Sequence, residues 1–196
     1  MERRELLKQI AILTGGIVIG SEFFLSGCKS GAKLEAGFSP ASIAMLDEVA
    51  ETIIPATKTP GAKAAQVGEF MKTFVTDCYT ADQQSAFTKG ILQLDEACNK
   101  LNGKSFMDCD AKQRKDLLIS LEKDAKVYNE KPNKENEGKR ENMLPLHYYT
   151  MIKQLTLMGF FTSKTGATET LRHIQVPGKY DGAFPYKKGD KAWAEN

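Results

Sequence analysis

Cysteine and histidine, the side chains that most often act as nucleophiles, general bases or metal ligands, are few in this sequence. The chain contains two histidines, His147 and His173, and four cysteines, at positions 28, 78, 98 and 109. Catalysis or metal binding needs such residues beside partners at a characteristic spacing. The sequence contains no Cys-x-x-Cys, Cys-x-x-Cys-His or His-Glu-x-x-His pattern. We therefore predict no catalytic, cofactor-binding or metal-binding residue in this chain and interpret both histidines as ordinary buried or surface residues.

The first 28 residues carry a different kind of chemical signal. Residues 1–27 begin with Arg3, Arg4 and Lys8, continue with an apolar run over 10–20, and end in Leu-Ser-Gly before Cys28. This layout is typical of a signal peptide. The alternative, a membrane-spanning anchor helix, needs about 20 apolar residues, and this run is shorter. The stretch from Arg3 to Lys8 resembles the twin-arginine motif, which predicts export of a folded protein.

The residues around Cys28 predict a lipid attachment. Leu25-Ser-Gly-Cys28 resembles the bacterial lipobox, in which the cysteine thiol is acylated and the cysteine becomes the new N-terminus. Each buried methylene of an acyl chain contributes roughly 0.8 kcal/mol, so several chains anchor a protein stably. Residues 28–37 then form a flexible tether. We expect a cell-envelope lipoprotein on the periplasmic side, held to a membrane by its lipid.

The other three cysteines raise the question of a disulfide, which an exported chain is able to form. If Cys78 lies at a helix turn, Cys98 is roughly 27 Å further along the next helix, too far for a bond that requires Cα atoms within about 7 Å. Cys98 and Cys109 flank a short loop and could meet across it. We predict a Cys98–Cys109 disulfide, with two free thiols as the open alternative, and a free Cys78 in the core.

The periodicity of apolar residues predicts an all-α fold, a small bundle of about five helices with an irregular C-terminal tail. Apolar residues recur at spacings of three and four in five segments, and no segment alternates long enough for a strand. Ser39 followed by Pro40 is a helix start, and Thr80–Gln83 and Asp110–Gln113 resemble capping boxes. Apolar residues at helical spacing over 67–78 predict another helix. Asn102-Gly103 predicts a helix end, and Pro145 predicts the start of a fifth helix.

The domain organisation follows from these helices and from composition. We predict one helical domain over 38–196, which includes a charged loop at 129–142 and the irregular tail at 162–196. The chain has 27 basic and 25 acidic residues, a net charge of +2. This balance argues against a nucleic-acid-binding protein, which would concentrate excess basic charge on one face. The tail carries Pro, Gly and aromatic residues, so it either docks onto another molecule or packs back on its own bundle.

Several short motifs together resemble the gluconate 2-dehydrogenase subunit 3 family, the small (gamma) subunit of flavin-dependent sugar and sugar-acid dehydrogenases. The resemblance extends over roughly 38–186 and rests on Glu51-Thr-Ile-Ile-Pro55, Thr59-Pro-Gly-Ala62, Val67-Gly-Glu-Phe70, Gly159-Phe-Phe-Thr-Ser163, Gly166-Ala-Thr168 and Pro177-Gly-Lys-Tyr-Asp-Gly182. It implies a non-catalytic accessory subunit. It also implies a partner that carries FAD, a glucose–methanol–choline-type flavoprotein, and in some complexes a cytochrome c that takes the electrons.

On this interpretation the chain aids export, stability and membrane attachment of its partner. The residues we expect at the partner contact come from the tail and from the motifs: Phe160, Phe161, Arg172, Tyr180, Asp181, Phe184 and Tyr186. Two alternatives stay open. The chain is a free-standing envelope lipoprotein that acts as a binding or scaffold module, or it is itself a redox enzyme with a bound chromophore.

Overall fold

The helical architecture agrees with the sequence prediction. A computed structural model describes residues 37–130, 145–176, 178 and 181–194, and within these ranges it contains no β-strand. The described chain forms five α-helices, α1 (Pro40–Ile53), α2 (Val67–Cys78), α3 (Ala81–Asn102), α4 (Ala111–Asn129) and α5 (Tyr148–Thr162). The predicted signal peptide at 1–27, the tether up to residue 36 and residues 131–142 of the charged loop lie outside the described ranges.

Three of the five helix starts are fixed by the caps that the sequence predicts. The Ser39 hydroxyl accepts a hydrogen bond from the Ser42 N–H at 3.1 Å, and Pro40 occupies the first helical position of α1. The capping boxes before α3 and α4, Thr80–Gln83 and Asp110–Gln113, are both complete. Each satisfies backbone N–H groups that have no partner within the helix.

Helix α5 is the central element of the bundle, and it contacts each of the other four helices. At about 100° per residue its buried residues form one broad face that spans about half of its circumference: Tyr148, Tyr149, Met151, Ile152, Leu155, Thr156, Gly159 and Phe160. The opposite side also carries apolar side chains, Leu157, Met158 and Phe161. The apolar residues of α5 therefore do not form the single stripe of a simple amphipathic helix.

A glycine on α5 allows α2 to approach closely. A Cβ atom at Gly159 would lie 2.5 Å from Cδ1 of Phe70, a distance that real Cβ contacts do not reach. The Phe70 ring therefore lies against the bare backbone of α5. Gly159 and Phe70 both belong to motifs that carry the family resemblance. The contact between them shows that these two motif positions serve helix packing.

Carboxylates on α1 hold the segment that connects α1 to α2. Glu51 accepts hydrogen bonds from two backbone N–H groups of that segment, Ala56 at 2.8 Å and Lys63 at 2.9 Å. Asp47 accepts one from the Gly68 N–H in the first turn of α2 at 2.7 Å. These bonds satisfy backbone N–H groups at helix starts and in the connecting segment, and they fix the start of α2 relative to α1.

Three local predictions were wrong. Cys78 is exposed rather than a core thiol, because α2 is covered only along its earlier turns. Helix α5 begins at Tyr148 instead of Pro145, and Asn129 is the last residue of α4 instead of the first of a loop.

Candidate functional site

The outer side of the last turns of α5 exposes a group of apolar side chains, Leu157, Met158 and Phe161, which we call the helix-end patch. Their exposed fractions are 41%, 37% and 39%. Residues three and four apart share one side of a helix, so the three side chains are neighbours. The inner side of the same turns is fully buried. A half-exposed apolar group at the end of the central helix is a surface that a partner molecule could cover.

A compact reversal follows α5 directly. The Ser163 hydroxyl donates to the Phe160 carbonyl at 2.6 Å and accepts from the Gly166 N–H at 3.0 Å. The chain then forms one π-helical turn over Gly166–Thr170. The motif at residues 159–163 thus corresponds to the end of the central helix. The motif at residues 166–168 lies in the turn that redirects the chain into the tail.

The tail forms a loop that is closed at its two ends. The Arg172 N–H donates to the Ala192 carbonyl at 2.7 Å, and the Ala194 N–H donates to the Arg172 carbonyl at 2.9 Å. The Arg172 guanidinium lies over two rings, 4.8 Å from the centroid of Trp193 and 5.2 Å from that of Phe184. These cation–π contacts and the backbone pair hold Arg172 against residues 192–194 and close the tail into a loop, which we call the tail loop.

Several apolar side chains of this loop remain open to solvent, and we call them the tail patch: Ile174, Val176, Phe184, Tyr186 and Trp193. Tyr186 is 76% and Val176 is 77% exposed, while Phe184 and Trp193 lie edge to face with centroids 5.4 Å apart. The loop is therefore folded on itself and still presents aromatic surface. Aromatic residues with arginine are the composition typical of protein interfaces.

The structure separates the residues predicted to contact a partner. Phe160 is fully buried. This prediction was wrong, because Phe160 faces inward from α5 while its neighbour Phe161 faces outward. Phe184 and Tyr186 are exposed in the tail patch.

The other two described candidates shape the tail loop. Arg172 is half-buried at its closure, and exposed Asp181 accepts a hydrogen bond from the Ala183 N–H at 3.0 Å, which forms a turn. Tyr180 lies outside the described residues.

The sequence did not predict five residues of these patches, Leu157, Met158, Ile174, Val176 and Trp193. A signal for the first two was present, because they precede Phe161 by four and three residues and form a second apolar stripe on α5. Trp193 is the single tryptophan of the chain. Its pairing with Arg172, 21 positions earlier, has no local signal.

A charged cluster joins α1, the segment between α1 and α2, and α4, and its charged groups pair with one another within the fold. Glu48 of α1 binds Arg114 of α4 at 2.6 Å and also Lys63 of the connecting segment. The hydrogen bond from Lys63, followed by that from Arg114, lowers the pKa of Glu48. Burial raises the pKa of Asp47 next to it. The cluster joins three chain segments and leaves no free group poised for catalysis among those named.

Two open depressions of about 330 and 220 Å³ lie between α1 and α4, and they share Thr52 and Lys115 in their walls. Their walls combine acidic and basic side chains, including an ion pair between Lys153 and Glu122 at 2.8 Å. Neither wall contains a histidine or a cysteine.

His147 caps the start of the central helix. Its Nδ1 accepts a hydrogen bond from the Tyr149 N–H at 3.3 Å, and its ring packs on Tyr148 and Tyr128 with centroids 4.4 and 5.4 Å away. Burial lowers the pKa of His147 and raises that of Tyr148 to about 12. A neutral imidazole used as a cap agrees with the structural role that we predicted. His173 lies exposed in the tail loop.

The cysteines predicted to pair lie side by side. The sulfurs of Cys98 and Cys109 are 3.2 Å apart, and both thiols are buried. They are free thiols in the structure, so the disulfide stays a prediction. Within the described ranges no three His, Cys, Asp or Glu side chains are grouped as metal ligands would be, and no helix there has the length and apolarity to span a membrane.

Comparisons with known proteins agree with this arrangement of motifs. The family model described as Gluconate 2-dehydrogenase subunit 3 matches residues 40–178. This match includes all five helices and the reversal after α5. No curated protein and no solved structure matches the chain. The family is that of a subunit of a multi-subunit dehydrogenase. Because the match covers well over half of the sequence, the chain belongs to the gluconate 2-dehydrogenase subunit 3 family.

Proposed function

We propose that this chain is the non-catalytic accessory subunit of an exported, FAD-dependent sugar or sugar-acid dehydrogenase complex. Family membership carries the proposal, because the family is named for a subunit of gluconate 2-dehydrogenase. In this proposal the oxidation takes place on a glucose–methanol–choline-type flavoprotein, which holds the FAD. A cytochrome c accepts the electrons in complexes that contain one.

The helix-end patch and the tail patch are the surfaces that we assign to the flavoprotein. Their support is the contrast between the two sides of the last turns of α5, one buried and one 37–41% exposed. The tail loop adds Phe184, whose ring lies under the Arg172 guanidinium, and Tyr186, which is 76% exposed. A loop ordered before binding loses less conformational entropy when a partner covers it, which favours association.

The N-terminal residues supply the export and attachment functions of the proposal. Arg3 and Arg4 direct the folded pair of subunits across the membrane, and acylated Cys28 holds the pair there. The twin-arginine signal suits a partner that must bind its flavin before export. In this proposal the accessory chain therefore supplies the flavoprotein with both its export signal and its membrane anchor.

Purification of the tagged full-length chain from bacterial membranes tests the proposal. We expect a flavoprotein to co-elute, with the absorption spectrum of bound flavin. Replacement of both arginines, Arg3→Lys with Arg4→Lys, is expected to leave both subunits in the cytoplasm. Cys28→Ser is expected to release them in soluble form after export.

The alternatives predict other results. A free-standing envelope lipoprotein would reach the membrane alone, with no flavin in the eluate and no change in the location of any flavoprotein in the Arg3→Lys, Arg4→Lys strain. A chain that is itself a redox enzyme would show a chromophore when purified without a partner. Either result would contradict the proposal.

A further inference from the structure

Cys98 and Cys109 are brought together at the junction of α3 and α4. Cys98 lies in the last two turns of α3, and Cys109 directly precedes Asp110, the N-cap residue of α4. Their sulfurs are 3.2 Å apart, and the residues are 0% and 6% exposed. The pair therefore sits in the interior, where two helix ends meet.

Contacts that do not involve sulfur fix the loop between the two cysteines. The Phe106 N–H donates to Asp95 Oδ1 at 2.7 Å, and the Phe106 ring is fully buried. From the other side, Arg114 of α4 donates to the carbonyls of Phe106 at 3.1 Å and Met107 at 2.8 Å. Because these bonds determine the path of the loop, the native fold itself places the two thiols next to each other.

We propose that Cys98 and Cys109 form an intramolecular disulfide by exchange with a disulfide oxidant, such as oxidised glutathione or the disulfide of an oxidoreductase. One cysteine thiolate attacks the oxidant, forms a mixed disulfide and releases one thiol. The thiolate of the other cysteine then attacks the mixed disulfide and releases the second thiol. The pair loses two electrons and two protons, and the oxidant disulfide becomes two thiols.

The timing of this step follows from burial. Burial, together with the neighbouring Cys109, raises the pKa of Cys98 to about 11, so its reactive thiolate is scarce near neutral pH once the chain is folded. The exchange therefore takes place while the loop is still open, before Phe106 enters the core. Of the three cysteines in the described ranges, exposed Cys78 is the one that reagents reach in the folded protein.

The bond would close a short loop and join α3 covalently to α4. Such a closure restrains mainly the unfolded chain, so it stabilises the fold without needing a change in the native contacts. The inference concerns the fold of this subunit and does not depend on the proposed function. Its failure would leave the partner and export proposals unchanged.

Thiol counting with peptide mapping tests the inference. The full-length chain is refolded with oxidised and reduced glutathione, denatured, and alkylated with a mass tag before and after reduction. We expect reduction to release two additional thiols. Trypsin cleaves after Lys100 and Lys104, between the two cysteines, so we expect peptides 90–100 and 105–112 to be recovered as one linked species that separates on reduction.

Two variants control the measurement. Cys78→Ser, at the exposed position, is expected to keep the gain of two thiols, whereas Cys98→Ser is expected to abolish it. Equal thiol counts before and after reduction of the unsubstituted chain would overturn the inference. Linkage of either peptide to Cys78 or Cys28 in place of the 90–100 to 105–112 species would also overturn it. Both of these results come from the unsubstituted chain and do not depend on how a variant folds.

Discussion

The two motif-bearing regions of this protein, the α1–α2 region and the C-terminal region, use their side chains in opposite ways. In the first region Glu51 and Asp47 bind backbone N–H groups, and Glu48 binds Arg114 and Lys63. In the second, the helix-end patch and the tail patch leave apolar side chains in contact with water. Polar groups that are satisfied internally stabilise a scaffold, whereas apolar groups left exposed indicate a surface to be covered.

This contrast explains why a search for catalytic residues finds so little. The acidic residues of α1, which in other proteins act as general acids or bases, are occupied by backbone groups and basic side chains. Exposed aromatic residues, which carry no catalytic group, are concentrated after residue 156. The predictions below test whether the first region is purely structural and whether the second is free to bind.

The largest stability effect is expected at Gly159, where the scaffold and the C-terminal region meet. Gly159→Val would force side-chain atoms against Phe70, because a Cβ there lies 2.5 Å from its ring. Overpacking of this kind costs about 3 kcal/mol, which lowers the melting temperature by roughly 6–12 °C in a domain of this size. Gly178→Val is the matched control, since a Cβ at Gly178 meets nothing within 4 Å. Equal melting temperatures for both variants would show that α2 and α5 are not packed as described.

An intermediate effect is expected when the carboxylate that holds the α1–α2 segment is removed. Glu51→Ala deprives the N–H groups of Ala56 and Lys63 of their acceptor. We expect a loss of about 1–2 kcal/mol in the free energy of unfolding, measured by urea titration. Glu96→Ala, at an exposed position of α3, is expected to stay within about 0.5 kcal/mol. An unchanged free energy of unfolding in Glu51→Ala would show that this carboxylate does not stabilise the segment between α1 and α2.

A smaller, pH-dependent effect is expected at His147. Its pKa in the folded chain lies below the ordinary value of 6.5, so the unfolded chain binds a proton more readily. Stability is then retained above about pH 6.5 and declines as the pH falls through that value towards the folded pKa. We expect His147→Asn, which keeps a capping side chain, to reduce this decline by up to about 1 kcal/mol.

Urea unfolding of both chains at pH 7 and pH 5 measures the difference. An identical decline in the two chains would show that His147 does not titrate with folding. All other side chains are common to both chains, so their contributions cancel in the comparison.

The features that sequence alone predicted are those set by neighbouring residues. Ser39 with Pro40, and the two capping boxes, act over three residues, so their local pattern suffices. The errors have a non-local cause. Whether Cys78 is covered depends on which other helix reaches that turn. Which side of the largely apolar α5 is buried depends on its central place in the bundle, which periodicity does not encode.

The candidate surface was predictable in part for the same reason. Composition identified the tail as rich in aromatic residues and left open whether they dock or pack back, and Phe184 and Tyr186 are exposed. It did not distinguish the buried Phe160 from the partly exposed Phe161, which lie about 100° apart around α5. The closure of the tail through Arg172 and Trp193 joins residues far apart in sequence, and no local rule predicts it.

The measurement that tests the central claim most directly is co-purification of the partner flavoprotein with single surface variants of the tagged chain. Phe161→Glu and Tyr186→Glu place a charge in the helix-end patch and the tail patch, and Leu92→Glu places one at an exposed apolar position of α3. We predict that the first two reduce bound flavoprotein by about tenfold, which corresponds to roughly 1.4 kcal/mol of binding energy, with melting temperatures unchanged. Leu92→Glu is predicted to bind as the unsubstituted chain does. Full binding by both patch variants, or an equal loss with Leu92→Glu, would contradict the account.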